Sequence, residues 1–264
     1  MATSILLLLN ARTMTVVAVL VVCFCLMIAS LLVVSLVNRQ QTRRRLITHK
    51  IWQMRRKVTE LEEIAAVIEP LVESPLIPKA ITDEVIDLIK RITAIDPSVT
   101  HLQGNLRTAE ALVASYQHQN IPHVLMRIQP SDAAIARAQS YLQEAGRVVR
   151  QQQMAGHIST TEMDAFIREL SWSHLMVEVL SHIAMGHKAL TRSDVLTAYG
   201  FYRNAQNKLL TSLLADDRRN RMVREITEIL QNKRKSISAD LMPETSLNPG
   251  RDTPDLPHEN GALG

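Results

Sequence analysis

Aromatic residues are scarce in this 264-residue chain: Phe, Trp and Tyr make up 3% of it, although 46% is hydrophobic. Sheets are rich in aromatic residues and need glycine in tight turns, but the chain has only eight glycines. Its two cysteines, Cys23 and Cys25, lie in one apolar stretch. The rest of the chain therefore has no thiol for a disulfide or a thiolate metal site, which suits a reducing compartment. These absences argue against an all-β fold and predict an all-α chain.

Charge is absent from one long run, the 24 residues from Met14 to Val37. A helix of that length reaches about 36 Å, more than the hydrocarbon layer of about 30 Å. The run continues past the small residues near Ala29, which favours an uncleaved signal anchor over a cleaved signal peptide. We therefore expect a single-pass transmembrane helix over 14–37 and a short extracytoplasmic N-terminus over 1–13. Whether residues 5–9 are embedded stays open.

Basic residues flank this run almost entirely on one side. Arg12 is the only one before it. Residues 38–57 contain eight and no acid, namely Arg39, Arg43, Arg44, Arg45, Lys50, Arg55, Arg56 and Lys57. Because Lys and Arg are retained on the cytoplasmic side, we expect a cytoplasmic C-terminal domain at the inner (plasma) membrane, with Arg43–Arg45 at anionic headgroups. From position 58 onward the chain has 21 basic and 26 acidic residues. This negative net charge argues against nucleic-acid binding.

Residues 38–69 form a basic juxtamembrane segment with apolar residues at alternating spacings of four and three. This heptad seam contains Ile47, Ile51, Met54, Val58, Leu61, Ala65 and Ile68. Such a seam predicts either a coiled-coil homodimer or one amphipathic helix that packs on its own domain. We expect the helix to end near Pro70, followed by a Pro-rich linker over 70–80.

A helical domain is predicted over 81–236, because every segment there carries a helical period. Ser131 is placed as an N-cap, and Ser159 and Glu162 form the pattern of a capping box. Thr191 to Asp194 resemble the start of a fifth helix, with Asp194 in the place of the capping-box acid, and Asp216 and Asp217 suit the positive end of a sixth. No proline occurs from 131 to 242, which permits long helices. After 236, prolines and acids without an apolar period predict a disordered tail over 237–264.

One helix pair within this domain, over about 179–212, has small and aromatic residues at characteristic spacings. Gly186 lies on the first helix, and Ala198, Tyr202 and Ala205 lie on the second. This segment resembles a tetratricopeptide repeat. The resemblance implies closely packed antiparallel helices that act in protein–protein interaction. A general helical hairpin is the alternative.

Catalytic, phosphate-binding and dinucleotide-binding motifs are missing from the sequence. His174, Glu178 and His182 share one helical face, but three ligands in that series span about 12 Å and cannot reach one ion. We therefore predict no cofactor, no metal and no enzyme activity. The expected function is a membrane-anchored scaffold or adaptor for an unknown protein partner. The alternatives are an enzyme or metal-binding domain that uses the His174 face, and a structural coiled-coil tether.

Overall fold

The computed structural model describes residues 27, 30–31, 35, 38, 45–97, 102–117, 124–244 and 248. It divides the chain into two units, Met1–Arg56 and Lys57–Gly264. In the first unit every described residue is helical, and the seam residue Ile47 is exposed. The predicted segments 1–13 and 14–37 lie almost wholly outside the described residues. Within those described, no helix is both long enough and apolar enough to cross a membrane.

The second unit is helical, with turns and no strand among its described residues. Its first helix, α1, covers 57–68 and is followed by a short 3-10 helix over Glu69–Leu71. The later helices are α2 (Leu76–Ile95), α3 (Leu102–Gln117), α4 (Asp132–Met154), α5 (Thr160–Thr191), α6 (Val195–Thr211) and α7 (Asp217–Leu230). The predicted all-α class is therefore confirmed for this part of the chain.

Polar side chains cap the helix starts, at the predicted positions for α4 and α5, whereas the predicted start at Thr191 is wrong because Thr191 ends α5 and Asp194 is the cap of α6. Ser131 accepts a hydrogen bond from the Ala134 N–H at the start of α4. Ser159 and Glu162 form both halves of the capping box that opens α5. Asp194 accepts from the Thr197 N–H at the start of α6. Each cap satisfies a backbone donor that has no partner within its own helix.

The predicted linker over 70–80 is wrong from Leu76 onward, because α2 begins there. Pro78 is tolerated in its first turn, where a backbone N–H would have no intrahelical acceptor. Ile77 and Pro78 are both buried, so apolar burial holds this turn against the core.

The predicted tail over 237–264 is wrong for its first residues. Ile237, Leu241 and Met242 are at most 3% exposed and belong to the same core cluster as α5, α6 and α7. Ser238 donates to the Glu225 carboxylate through both its N–H and its hydroxyl. These apolar residues are too few to show a helical period in the sequence. They are buried because α5, α6 and α7 together form an apolar surface on which they pack. Almost all of the tail beyond Glu244 lies outside the described residues.

The second half of the heptad seam is buried in the core of its own unit. Val58, Leu61, Ala65 and Ile68 are each at most 3% exposed. Side chains already covered within one chain cannot also form a dimer seam. For these four residues the structure favours an amphipathic helix that packs on its own domain.

The long helix α5 packs against both α4 and α6, and α7 packs on α6. Helix α2 contacts α3 and α4. Helix α5 therefore connects α4 to α6.

Candidate functional site

The α5–α6 crossing brings Gly186 against the ring of Tyr202. A Cβ atom at position 186 would lie 2.5 Å from Cε1 of Tyr202, closer than a side chain tolerates. Ala198 and Ala205 are fully buried in the same core cluster as Tyr202. The structure thus places the four residues of the tetratricopeptide resemblance in the core beside this crossing, where small residues admit the aromatic ring.

His187 lies next to this crossing and fixes the outer end of Tyr202. Its Nδ1 is 2.7 Å from the Tyr202 hydroxyl oxygen. Burial lowers the pKa of His187 to about 4 and raises the pKa of Tyr202. Both groups are therefore uncharged at neutral pH, as a buried pair without a counter-ion requires.

A cleft of about 580 Å³ lies between α4, α5 and α6. We call it the α4–α6 cleft. It is lined by Asp132, Ile135, Ala136, Gln139, Glu178, His182, Asn204, Asn207 and Lys208. The Gly186–Tyr202 crossing sets the spacing of the two helices that carry the last five of these residues.

Glu178 connects the three helices of this cleft. One carboxylate oxygen accepts from Lys208 Nζ at 2.7 Å, and the other accepts from Gln139 Nε2 at 3.2 Å. Burial opposes ionisation of Glu178, but the hydrogen bonds from Lys208 and Gln139 outweigh it, so its pKa is lowered. Glu178 is therefore a charged and already paired group in the cleft wall.

The structure does not bring His174, Glu178 and His182 together around one point. His174 lines a different cleft and its Nε2 is 3.1 Å from the Gln143 amide nitrogen. Burial lowers the pKa of His174. His182 lines the α4–α6 cleft, with its ring 6.2 Å from that of Phe201. Across the described part of the chain, no three His, Cys, Asp or Glu side chains are grouped to hold a metal ion.

Two side chains that sequence reasoning missed, Asn204 and Asn207, stand on the α6 wall of the cleft. Both are exposed. A carboxamide both donates and accepts hydrogen bonds, and so matches the N–H and C=O of an extended backbone. Their spacing of three puts them on one helical face, away from Ala198 and Tyr202. The spacing of Asn204 and Asn207 can be seen in the sequence. Their position in a cleft that α4 also lines cannot, because it depends on how the helices pack.

Comparison with protein-family models, with curated proteins and with solved structures finds no match. The resemblance to a tetratricopeptide repeat therefore depends on the α5–α6 hairpin alone.

Proposed function

We propose that this chain is a membrane-anchored scaffold that captures a segment of a partner protein in the α4–α6 cleft. The observation that carries the proposal is the pair of exposed carboxamides, Asn204 and Asn207, on the wall of a cleft shared by three helices. Such a pair binds the backbone of an extended segment without regard to its side chains.

The charges of the cleft support a polypeptide rather than a small charged substrate. Glu178 is already neutralised by Lys208, so its carboxylate is not available to compensate a cationic ligand. Asp132, in the first turn of α4, is stabilised by the positive end of that helix. The remaining cleft groups are amides, a histidine and two apolar side chains, Ile135 and Ala136, which suit neutral backbone and apolar contacts.

The anchor of the proposed scaffold is the apolar run 14–37, with the helical domain on the cytoplasmic side of the inner membrane. The eight-to-one asymmetry of basic residues supports this orientation, and Arg43–Arg45 supply contacts to anionic headgroups. A C-terminal phosphatase that is active only after export tests it. We expect no phosphatase activity, and an active reporter would contradict the orientation.

The capture proposal is tested by comparing two variants of the full chain purified from solubilised membranes. Asn204→Ala with Asn207→Ala removes both carboxamides, and Arg203→Ala changes an exposed residue of α6 that does not line the cleft. We expect a defined co-purifying protein to be lost from the first variant and retained by the second, at unchanged melting temperatures. Equal recovery of that protein with both variants would contradict capture by this cleft.

A further inference from the structure

Another cleft, of about 600 Å³, lies along α2 and is lined as well by residues of α3, α4 and α5. We call it the α2 cleft. Its apolar lining residues are Leu76, Ala80, Ile86, Ile158 and Phe166. Together they form a hydrocarbon wall that suits the apolar part of a ligand.

Acidic side chains outnumber basic ones in the α2 cleft. The carboxylates are those of Asp83, Glu84, Asp87, Glu110 and Glu162, and the ammonium groups are those of Lys79 and Lys90. His157 also lines the cleft. Even with His157 protonated, the lining groups carry a net negative charge, which attracts cations.

Both lysines of the cleft are already paired. Lys79 Nζ is 3.1 Å from an oxygen of Asp83, and Lys90 Nζ is 3.6 Å from an oxygen of Glu110. Each pair is close to neutral as a unit. The lysines therefore offer little repulsion to a cation that enters the cleft.

Two of the other carboxylates are also engaged. Glu84 lies 3.6 Å from Nδ1 of His157 and 4.0 Å from Nζ of Lys57, and Glu162 belongs to the capping box of α5. Asp87 differs from them, because among the described residues its carboxylate has neither an ion pair nor a hydrogen bond. It is half-buried on α2, so a cation beside it would be stabilised.

A second free acceptor comes from Gln152 on α4, which lines the cleft and is 3% exposed. Its Nε2 donates to the Ala80 carbonyl oxygen at 2.6 Å. This bond fixes the orientation of the amide, because an oxygen in that place could not donate. Among the described residues, Oε1 of Gln152 is buried without a hydrogen-bond partner. A buried acceptor without a donor costs free energy, which a ligand N–H would recover.

These two acceptors lie at different levels of α2. Ala80, which holds the Gln152 amide, is seven positions before Asp87, and this separation is about 10 Å along the helix axis. One ammonium group cannot donate to both, because a hydrogen bond is only about 3 Å long. Two amino groups joined by a flexible aliphatic chain can reach both.

From these contacts we infer that the α2 cleft binds a linear aliphatic diamine or polyamine. One amino group donates to Gln152 Oε1, and another, as an ammonium, pairs with Asp87. The chain between them lies on the apolar wall. This site is separate from the α4–α6 cleft and does not depend on the function proposed for it.

The test uses the full chain in nanodiscs of zwitterionic lipid, with the diamine cadaverine as the probe and isothermal titration calorimetry as the readout. We expect saturable binding that empty nanodiscs do not show. Pentylamine has the same carbon chain with a single ammonium and should bind at least about tenfold more weakly, because it lacks one charge-assisted hydrogen bond. Equal affinity for the two amines would overturn the proposal, and so would the absence of saturable binding.

Three variants locate the site. Asp87→Asn removes a carboxylate that has no partner to lose, and should weaken cadaverine binding at least about tenfold. Gln152→Met removes the free amide oxygen and should weaken it as well. Asp164→Asn removes an exposed carboxylate of α5 that does not line the cleft, and should leave binding unchanged.

Two results with these variants would overturn the assignment. One is unchanged cadaverine binding by Asp87→Asn at a native melting temperature, and the other is equal weakening by Asp87→Asn and Asp164→Asn, which would show a diffuse counter-ion effect. Saturable binding of a Lys-Gly-Lys peptide, without binding of cadaverine, would also overturn the proposal in favour of protein side chains.

Discussion

Glu244 binds Arg127 at two points, although the two residues are 117 positions apart in the chain. One oxygen of the Glu244 carboxylate accepts from the Arg127 backbone N–H at 3.1 Å and from its Nε–H at 3.2 Å. The Arg127 side chain is 2% exposed, and its other partner is Glu73 at 3.4 Å. The segment after α7 is thus fastened to the domain by a buried ion pair as well as by apolar packing.

Replacing Glu244 with Ala should destabilise the domain, because among the described residues it leaves the buried Arg127 guanidinium paired only with Glu73, at 3.4 Å. We expect a loss of about 3 kcal/mol in the free energy of unfolding. Asp240→Ala is the control, since Asp240 pairs with Arg221 at the surface and an exposed pair contributes less than about 1 kcal/mol. Urea unfolding of the full chain in mild detergent measures both, and equal losses would contradict a buried role for Glu244.

Adding one methyl group at Gly186 should force Tyr202 and α6 away from α5. We expect Gly186→Ala to cost about 1–3 kcal/mol, despite the better helix propensity of alanine. Gly200→Ala provides the contrast, because a Cβ there meets no atom within 4 Å and should stabilise α6 by up to about 1 kcal/mol. Thermal melts decide the point: a Gly186→Ala melt at or above the wild-type temperature would disprove the close crossing.

Overpacking at Ala198 tests the same helix pair from the other side. Ala198 is fully buried, so Ala198→Leu should cost about 1–3 kcal/mol. Asn207 is exposed, so Asn207→Leu should cost little stability while it impairs partner capture. An Ala198→Leu variant with the melting temperature of the wild type would contradict the close packing of α6 at Ala198.

The protonation of His187 predicts a specific loss of stability in acid. Its pKa falls from an ordinary value of 6.5 to about 4 in the folded chain, so below pH 6.5 the unfolded chain binds a proton that the folded chain does not. The stability contributed by neutral His187 is full above pH 6.5 and is lost progressively as the pH falls toward 4, by up to about 3 kcal/mol.

His187→Gln isolates this effect, because glutamine can hydrogen-bond the Tyr202 hydroxyl but does not titrate. The free energy of unfolding of wild type minus variant should therefore fall between pH 6.5 and pH 4. A difference that stays constant over this range would show that His187 is not the titrating group.

The helix starts were predictable because their signals are local: Ser159 and Glu162 are three residues apart and satisfy each other's backbone donors. The spacing of Gly186 and Ala198 indicated a closely packed helix pair, but it did not show that the Tyr202 ring lies against Gly186. The cleft was not, because Glu178 meets Gln139 and Lys208 only after three helices have packed. The burial of Ile237 and Met242 was hidden for the same reason, since their environment is made by distant elements.

The central claim is that the α4–α6 cleft holds a segment of a partner protein, and site-specific photo-cross-linking in intact membranes tests it most directly. A photoreactive residue at position 136 lies in the cleft and leaves both carboxamides in place, whereas one at position 188 lies on an exposed face of α5 that does not line the cleft. We predict a discrete protein adduct from position 136 that disappears when Asn204→Ala and Asn207→Ala are added, and none from position 188. Identical adducts from both positions, or an adduct at 136 that is insensitive to the loss of the two carboxamides, would contradict the claim.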